Sequence, residues 1–398
     1  MKPRLMERSE RMKKKIFLFC ALIFLAAQAP ALAGVKRGVW VSVFGEKKAL
    51  YSGKAIAELL DFCAKAKIDE IYLQLYQSGK AYYDTRIFDR STYEVLLSSV
   101  GNDPVDLLLA KAKEKGIKVF AWLNILSLGK NDKAEILLKH GNSVLTRDQF
   151  GRTSQQADAA AKELDKYYLR EEQAFLEPAD PRVREYLVSL AEEVVARYPG
   201  LSGVHLDYIR YPYVVPFVPG SRFHQYGLSY GYSAKSLEMF KAKFAYSPLS
   251  GLKGEERFLQ WDNWRRQQVT ELVEAISRAV KARSAAALVS CAVIPAHERA
   301  YTNAFQDLPR WLDEGIVDYV ATMNYTTDSR LARENACAAL ALRGKGKVYV
   351  GLGVFLAANN QDLWLKQYRA VAGLAPDGVI IFSYDQISDR LACALAEE

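Results

Sequence analysis

In Gly203-Val-His-Leu-Asp-Tyr-Ile-Arg-Tyr-Pro212 an apolar strand pattern runs directly into a charged and aromatic cluster and stops at a proline. Val204 and Leu206 alternate with His205 and Asp207, and residues two apart in a strand share a face, so His205 and Asp207 point the same way. An ionised aspartate is costly to bury without a partner, which makes Asp207 hard to explain by packing. Active sites of parallel α/β barrels form at that C-terminal strand edge. The plainer alternative is that Asp207 pairs with Arg210 or caps a neighbouring helix.

Outward from this segment, strand patterns alternate with helical ones, the signature of a parallel sheet covered by helices. Strands are expected at Gly38–Val43, Glu70–Tyr76, Ile117–Asn124, the Gly203 segment, Ala287–Val293, Val317–Met323, Lys347–Gly353 and Gly378–Ser383. Helices are expected over Gly53–Lys67, from Asp103-Pro104 to Gly116, from Asp180-Pro181 to Tyr198, and over Phe258–Ala282, Phe305–Glu314, Ser329–Leu342, Gln361–Leu374 and Ile387–Glu397. The sum is an α/β fold, a (β/α)8 TIM barrel at residues 34–398, with long loop insertions after strands two, three and four. The stretch Gly129–Pro178 is polar and longer than ordinary barrel loops, which marks it as disordered or functional. In the next insertion Tyr213, Phe217, Phe223, Tyr226, Tyr230 and Tyr232 lie among glycines and prolines, either as a sugar-stacking wall or as a loop packed by its own rings.

Residues 1–33 read as a secretory signal peptide. Arg11, Lys13, Lys14 and Lys15 precede the apolar run Ile16–Ala27, and Ala31-Leu32-Ala33 supplies small residues for cleavage. The run is too short to span a bilayer, so no integral membrane segment is expected after cleavage, and the product is periplasmic or extracellular. Seven basic and two acidic residues fall in this leader, so a formal charge of +8 drops to about +3 for the remainder, too mild to argue for nucleic acid. Cys63, Cys291, Cys337 and Cys393 are widely spaced and suit neither a zinc site nor a disulfide scaffold; one bridge, Cys63 to Cys393, fits if the first and last helices are neighbours. No cofactor or metal is expected. The four histidines, His140, His205, His224 and His297, offer no ligand pair beyond His205-x-Asp207.

Several segments together resemble the bacterial glycosyl hydrolase-like family ten: RGVWVSV at strand one, DEIYLQLY at strand two, DPVDLLLAKAKEKGIKVFAWLN, FLEPADPRVREYLVSLAEEVVARY leading into GVHLDYIRYP, and WRRQQVTELVEAI. The resemblance implies a barrel fold and glycan cleavage, with cell-wall glycan or peptidoglycan as the best-known substrate theme. The chain departs from the family's pattern at Tyr76, where an arginine is common, at Phe120, where a histidine is common, and in the strand-six sequence ATMNYTTD.

Glycoside cleavage generally needs two carboxyl groups flanking the scissile bond. Asp207 is the first, as nucleophile or as stabiliser of an oxocarbenium-like state, with Arg210 holding it ionised. Candidates for the second are Glu298, Asp328, Asp385 and Asp84, with Glu298 placed first; Asp328 has helix capping as its alternative role. Gln74, Trp122, Asn124, Asn324, Tyr325 and Tyr384 end strands at the same edge and are candidate substrate contacts, with His205, Tyr208 and Arg210 beside Asp207. A barrel that binds glycan without cutting it, and a metal-dependent amide or ester hydrolase, are the competing readings.

Overall fold

The computed structural model describes residues 34–155, 167–216, 228–251, 254–358 and 360–398; the expected leader and Phe217, Phe223, Tyr226 and His224 lie outside them. Eight parallel strands close a barrel: β1 (Lys36–Val41), β2 (Glu70–Gln77), β3 (Lys118–Asn124), β4 (Gly203–Asp207), β5 (Leu288–Val293), β6 (Tyr319–Met323), β7 (Lys347–Gly353) and β8 (Gly378–Phe382). Closure is made by β1, which pairs with β8 on one side and β2 on the other. Outside run α1 (Gly53–Lys65), α2 (Pro104–Glu114), α3 (Pro181–Arg197), α4 (Glu255–Arg283), α5 (Leu308–Asp313), α6 (Ser329–Ala341), α7 (Gln361–Ala372) and α8 (Asp389–Glu397).

Local chemistry sets the boundaries. Asp103 accepts from the backbone N–H of Val105 and Asp106 with Pro104 in the first turn, and Asp180 accepts from Arg182 N–H ahead of Pro181, so α2 and α3 start where capping residues precede a proline. β1 begins two residues earlier than its apolar pattern predicts, because Lys36 lies opposite Gly378 and Gly38 opposite Glu70. The stretch 77–99, expected as a loop, carries the helix Ser91–Val100, and a second unexpected helix, Ala234–Phe244, follows the aromatic insertion. Cys63 is buried and Cys393 exposed, and both are free thiols, so the bridge that the sequence left open is not formed.

Side chains fill the barrel in layers. At its N-terminal end the buried Glu70 carboxylate accepts from Lys36 Nζ at 3.1 Å and Tyr72 Oη at 2.8 Å, and Tyr72 shares a 2.9 Å hydroxyl contact with Tyr319. Above lie Trp40, Phe120, Ile380 and His205, whose ring is 4.8 Å from that of Tyr72. Trp40 needs room at this level, and Gly351 of β7 provides it: a Cβ there would lie 2.6 Å from Trp40 Cη2 and 2.8 Å from the Thr322 carbonyl oxygen. Gly351→Ala is therefore expected to destabilise the fold by about 1–3 kcal/mol, read as a lower denaturation midpoint at unchanged slope; an unchanged midpoint would show that Trp40 is not held this tightly.

Candidate active site

Asp207 is the last residue of β4, opposite Asn124 in the register with β3. Its side chain enters the barrel mouth, where Trp122 Nε1–H donates to Oδ2 at 3.1 Å and the backbone N–H of Tyr208 donates to Oδ1 at 2.7 Å. Tyr208 adopts a left-handed φ of 52°, a conformation that costs a bulky residue roughly 1–2 kcal/mol and is found disproportionately at functional sites. Asp207 is only 7 % exposed, and this burial raises its carboxyl above the ordinary aspartate value. The Tyr208 amide, the Arg210 charge and the Trp122 N–H oppose the rise, while the charge of Glu171 adds to it.

Arg210 does not bind Asp207 directly, contrary to the expected pairing. Its guanidinium grips Glu171 through two parallel bonds, Nη1 to Oε2 at 2.6 Å and Nη2 to Oε1 at 2.8 Å, and the backbone N–H of Tyr213 adds a third at 2.7 Å. Only the field of Arg210 reaches Asp207, and burial outweighs it. Glu171 is pinned along the chain as well. The strand Tyr167–Arg170 before it pairs antiparallel with Val214–Pro216, and Ala174–Phe175 after it pairs with Ser127–Gly129. Reading Arg210 as the partner of Asp207 hid this glutamate, which lies 39 residues earlier in a polar run with no local signal of the pairing.

Polar and aromatic groups complete the mouth. Ser42 Oγ donates to Gln74 at 3.2 Å, and Gln74 Nε2 donates to Asn124 Oδ1 at 3.4 Å, a chain across the ends of β1, β2 and β3. On the other side the half-buried Tyr325 ring lies 5.3 Å from Phe382, which in turn lies 6.2 Å from Trp122. Burial first, and then the charge of Asp207, raises the hydroxyls of both Tyr325 and Tyr208, which places both near the carboxylate.

Other expected residues are directed elsewhere. Asn324 follows the end of β6 and turns outward, donating to the Ala332 carbonyl at 2.6 Å and accepting from Asn335 at 3.1 Å, so it fastens α6. Tyr384 sits in a short 3-10 turn beyond β8, its ring 5.1 Å from Phe62 of α1 and 4.1 Å from Lys47 Nζ. Asp328 is exposed and caps α6 through the N–H groups of Arg330 and Leu331. Asp385 accepts from the Lys47 amide at 3.0 Å, and Asp84 pairs with Arg197 and Arg90. Glu298 is exposed in the first turn of the helix His297–Thr302. His205 stays inside the barrel, bonded through Nδ1 to Ser290 Oγ at 2.8 Å and pushed down to about 3 by burial, rather than touching Asp207. Tyr230 and Tyr232 are buried, the latter 5.1 Å from Trp261, so these two rings pack the insertion instead of facing outward.

Among solved structures, the β-galactosidase from Bacillus circulans sp. alkalophilus superposes with a TM-score of 0.57 over 92 % of this chain and 55 % of that one at 14 % identity. The β-galactosidase from Rahnella sp. R3 gives 0.56 over the same shares at 16 % identity, and both likenesses show the same fold, a TIM barrel. The chain belongs to the family Glycosyl hydrolase-like 10, which it matches over residues 36–347. It is 25 % identical to glycosyl hydrolase DigH of Escherichia coli (strain K12) over 299 residues, 70 % of this chain and 59 % of that protein. With glycosyl hydrolase YngK of Bacillus subtilis (strain 168) it shares 24 % over 289 residues, 67 % of this chain and 48 % of that protein. The matches thus span about half to three fifths of these relatives' length.

A raised Asp207 means that the folded protein holds a proton at pH values where the unfolded chain has lost it, so unfolding free energy falls as pH rises through that window. Trp122→Phe removes a donor that opposes the shift. The window is then expected to extend to higher pH, with roughly 1.5–3 kcal/mol lost at neutral pH from the missing charge-assisted bond; superimposable stability–pH curves from chemical denaturation would contradict the Trp122–Asp207 bond.

Proposed function

We propose that the protein is an exported glycoside hydrolase that cleaves an envelope polysaccharide by a two-carboxylate mechanism, with Asp207 and Glu171 as the pair. The observation that carries this reading is a buried carboxyl at the barrel mouth whose proton affinity is raised by burial and by a second carboxylate acting on it. Family membership and the printed names of the relatives support the reaction class, and the leader pattern in residues 1–33 supports export. Burial that raises a carboxyl's proton affinity suits it to the acid's role. Asp207, poorly solvated, is the group that protonates the glycosidic oxygen as its bond to the anomeric carbon breaks. Glu171 accepts two bonds from the Arg210 guanidinium and one from the Tyr213 N–H, and in this reading it is the second carboxylate. It attacks the anomeric carbon if the carboxyls stand about 5–5.5 Å apart, or activates water if about 6.5–9.5 Å.

This reverses the role expected for Asp207 and replaces Glu298 and Asp328 as partner, since one lies on an exposed helical turn and the other caps α6. Digestion of peptidoglycan with and without stem peptides, alongside neutral polysaccharides, with fragments identified by mass, tests the reaction and the substrate. Asp207→Asn and Glu171→Gln are each expected to lower kcat by about 10²–10⁴, with melting temperatures recorded in parallel because Arg210 loses part of its partner in the second variant. Full activity in either variant rejects its assigned role. Oligosaccharide binding with no product from the wild type favours a binding barrel instead.

A further inference from the structure

We infer that Phe355, together with Tyr325 and Phe382, forms a stacking platform for a pyranose unit of the glycan on the β6–β8 side of the barrel mouth. The inference rests on the hydrolase reading for placing the scissile bond at Asp207, and adds where a neighbouring sugar lies. Phe355 belongs to the turn Val354–Ala357 after β7; the residues at both ends of that turn are buried, whereas Phe355 is 41 % exposed. A lone exposed ring means little, but this one is built in. It stands edge-on to Tyr325 at 5.6 Å and 84° and to Phe382 at 5.9 Å and 85°.

Gly353 makes the arrangement possible. A Cβ at that position would lie 2.6 Å from Phe355 Cε1 and 3.2 Å from Tyr325 Cδ1, so the absence of a side chain lets both rings close over the end of β7. The rings then run without interruption toward the reacting group: Phe382 is 6.2 Å from Trp122, and Trp122 donates to Asp207. Across the mouth the Gln74 and Asn124 amides are polar. An apolar face on one side and hydrogen-bonding groups on the other match a pyranose, whose C–H faces are apolar and whose edge carries hydroxyls, better than a lipid or an apolar peptide.

The test uses the full chain carrying Asp207→Asn, so that bound glycan is not consumed. Its affinity for stem-peptide-free peptidoglycan strands and for tetramers of N-acetylglucosamine and of glucose is measured by calorimetry, alone and combined with Phe355→Ala or Phe355→Trp. Phe355→Ala is expected to weaken the best-bound probe about ten-fold, the loss of one aromatic contact, while Phe355→Trp keeps the affinity. In the otherwise wild-type enzyme Phe355→Ala raises KM and leaves kcat nearly unchanged, because stacking acts alike on ground and transition states. Unaltered affinity in Phe355→Ala, or no binding of any probe, overturns the platform. The two readings fail separately: Phe355-dependent binding without product from the wild type removes the hydrolase and keeps the platform, whereas normal cleavage with an unchanged KM in Phe355→Ala does the reverse.

Discussion

A carboxyl removed from water, with one indole N–H and one backbone N–H for company, is the constraint around which the mouth of this barrel is arranged. Two hydrogen bonds at 3.1 and 2.7 Å satisfy Asp207 without neutralising it. Arg210, the cation whose charge acts on Asp207, is already committed to Glu171 and contributes only its field. Burial therefore wins, and the group is biased toward its protonated form. A cation in direct contact with Asp207, such as the Arg210 guanidinium itself, would have tipped the balance the other way and favoured the anion.

The insertions complete what the barrel begins. β4 delivers Asp207 and then Arg210 within four residues, but the carboxylate that Arg210 needs arrives from the segment between β3 and α3. Two antiparallel pairings hold that segment, Tyr167–Arg170 on Val214–Pro216 and Ala174–Phe175 on Ser127–Gly129. The buried bidentate pair between them is strong only because its geometry is complete; losing either partner would leave an uncompensated charge costing about 3–5 kcal/mol. Asp207 thus ends a barrel strand while Glu171 lies in an insertion, and Arg210 ties the insertion to the strand's end.

Much of this order was legible in the sequence. Alternating apolar residues placed the eight strands to within about two positions, and Asp-Pro pairs marked the starts of α2 and α3, because both signals are local. Asp207, Trp122, Gln74 and Asn124 lie in strands, at the barrel end where strand periodicity placed them, whereas Tyr325 reaches that end from the turn past β6. Asn324 and Tyr384 are directed elsewhere: each lies just past a strand end, where the alternation of faces no longer holds. Glu171 stayed hidden in a polar run, Arg-Glu-Glu-Gln, that resembles a solvated surface, and its partner is 39 residues away. Among the insertion's rings, Tyr230 and Tyr232 fitted a stacking wall and an internally packed loop equally well, because composition reports that rings are present without reporting which way they face.

Direct titration of the Asp207 carboxyl, by carbon-detected NMR on selectively labelled protein with Asp207→Asn as the assignment control, tests the central claim most directly. The account predicts a midpoint above the free-aspartate value of about 3.9 that moves down when Glu171→Gln removes the neighbouring charge. A midpoint at or below the free value, or one indifferent to Glu171, would contradict it.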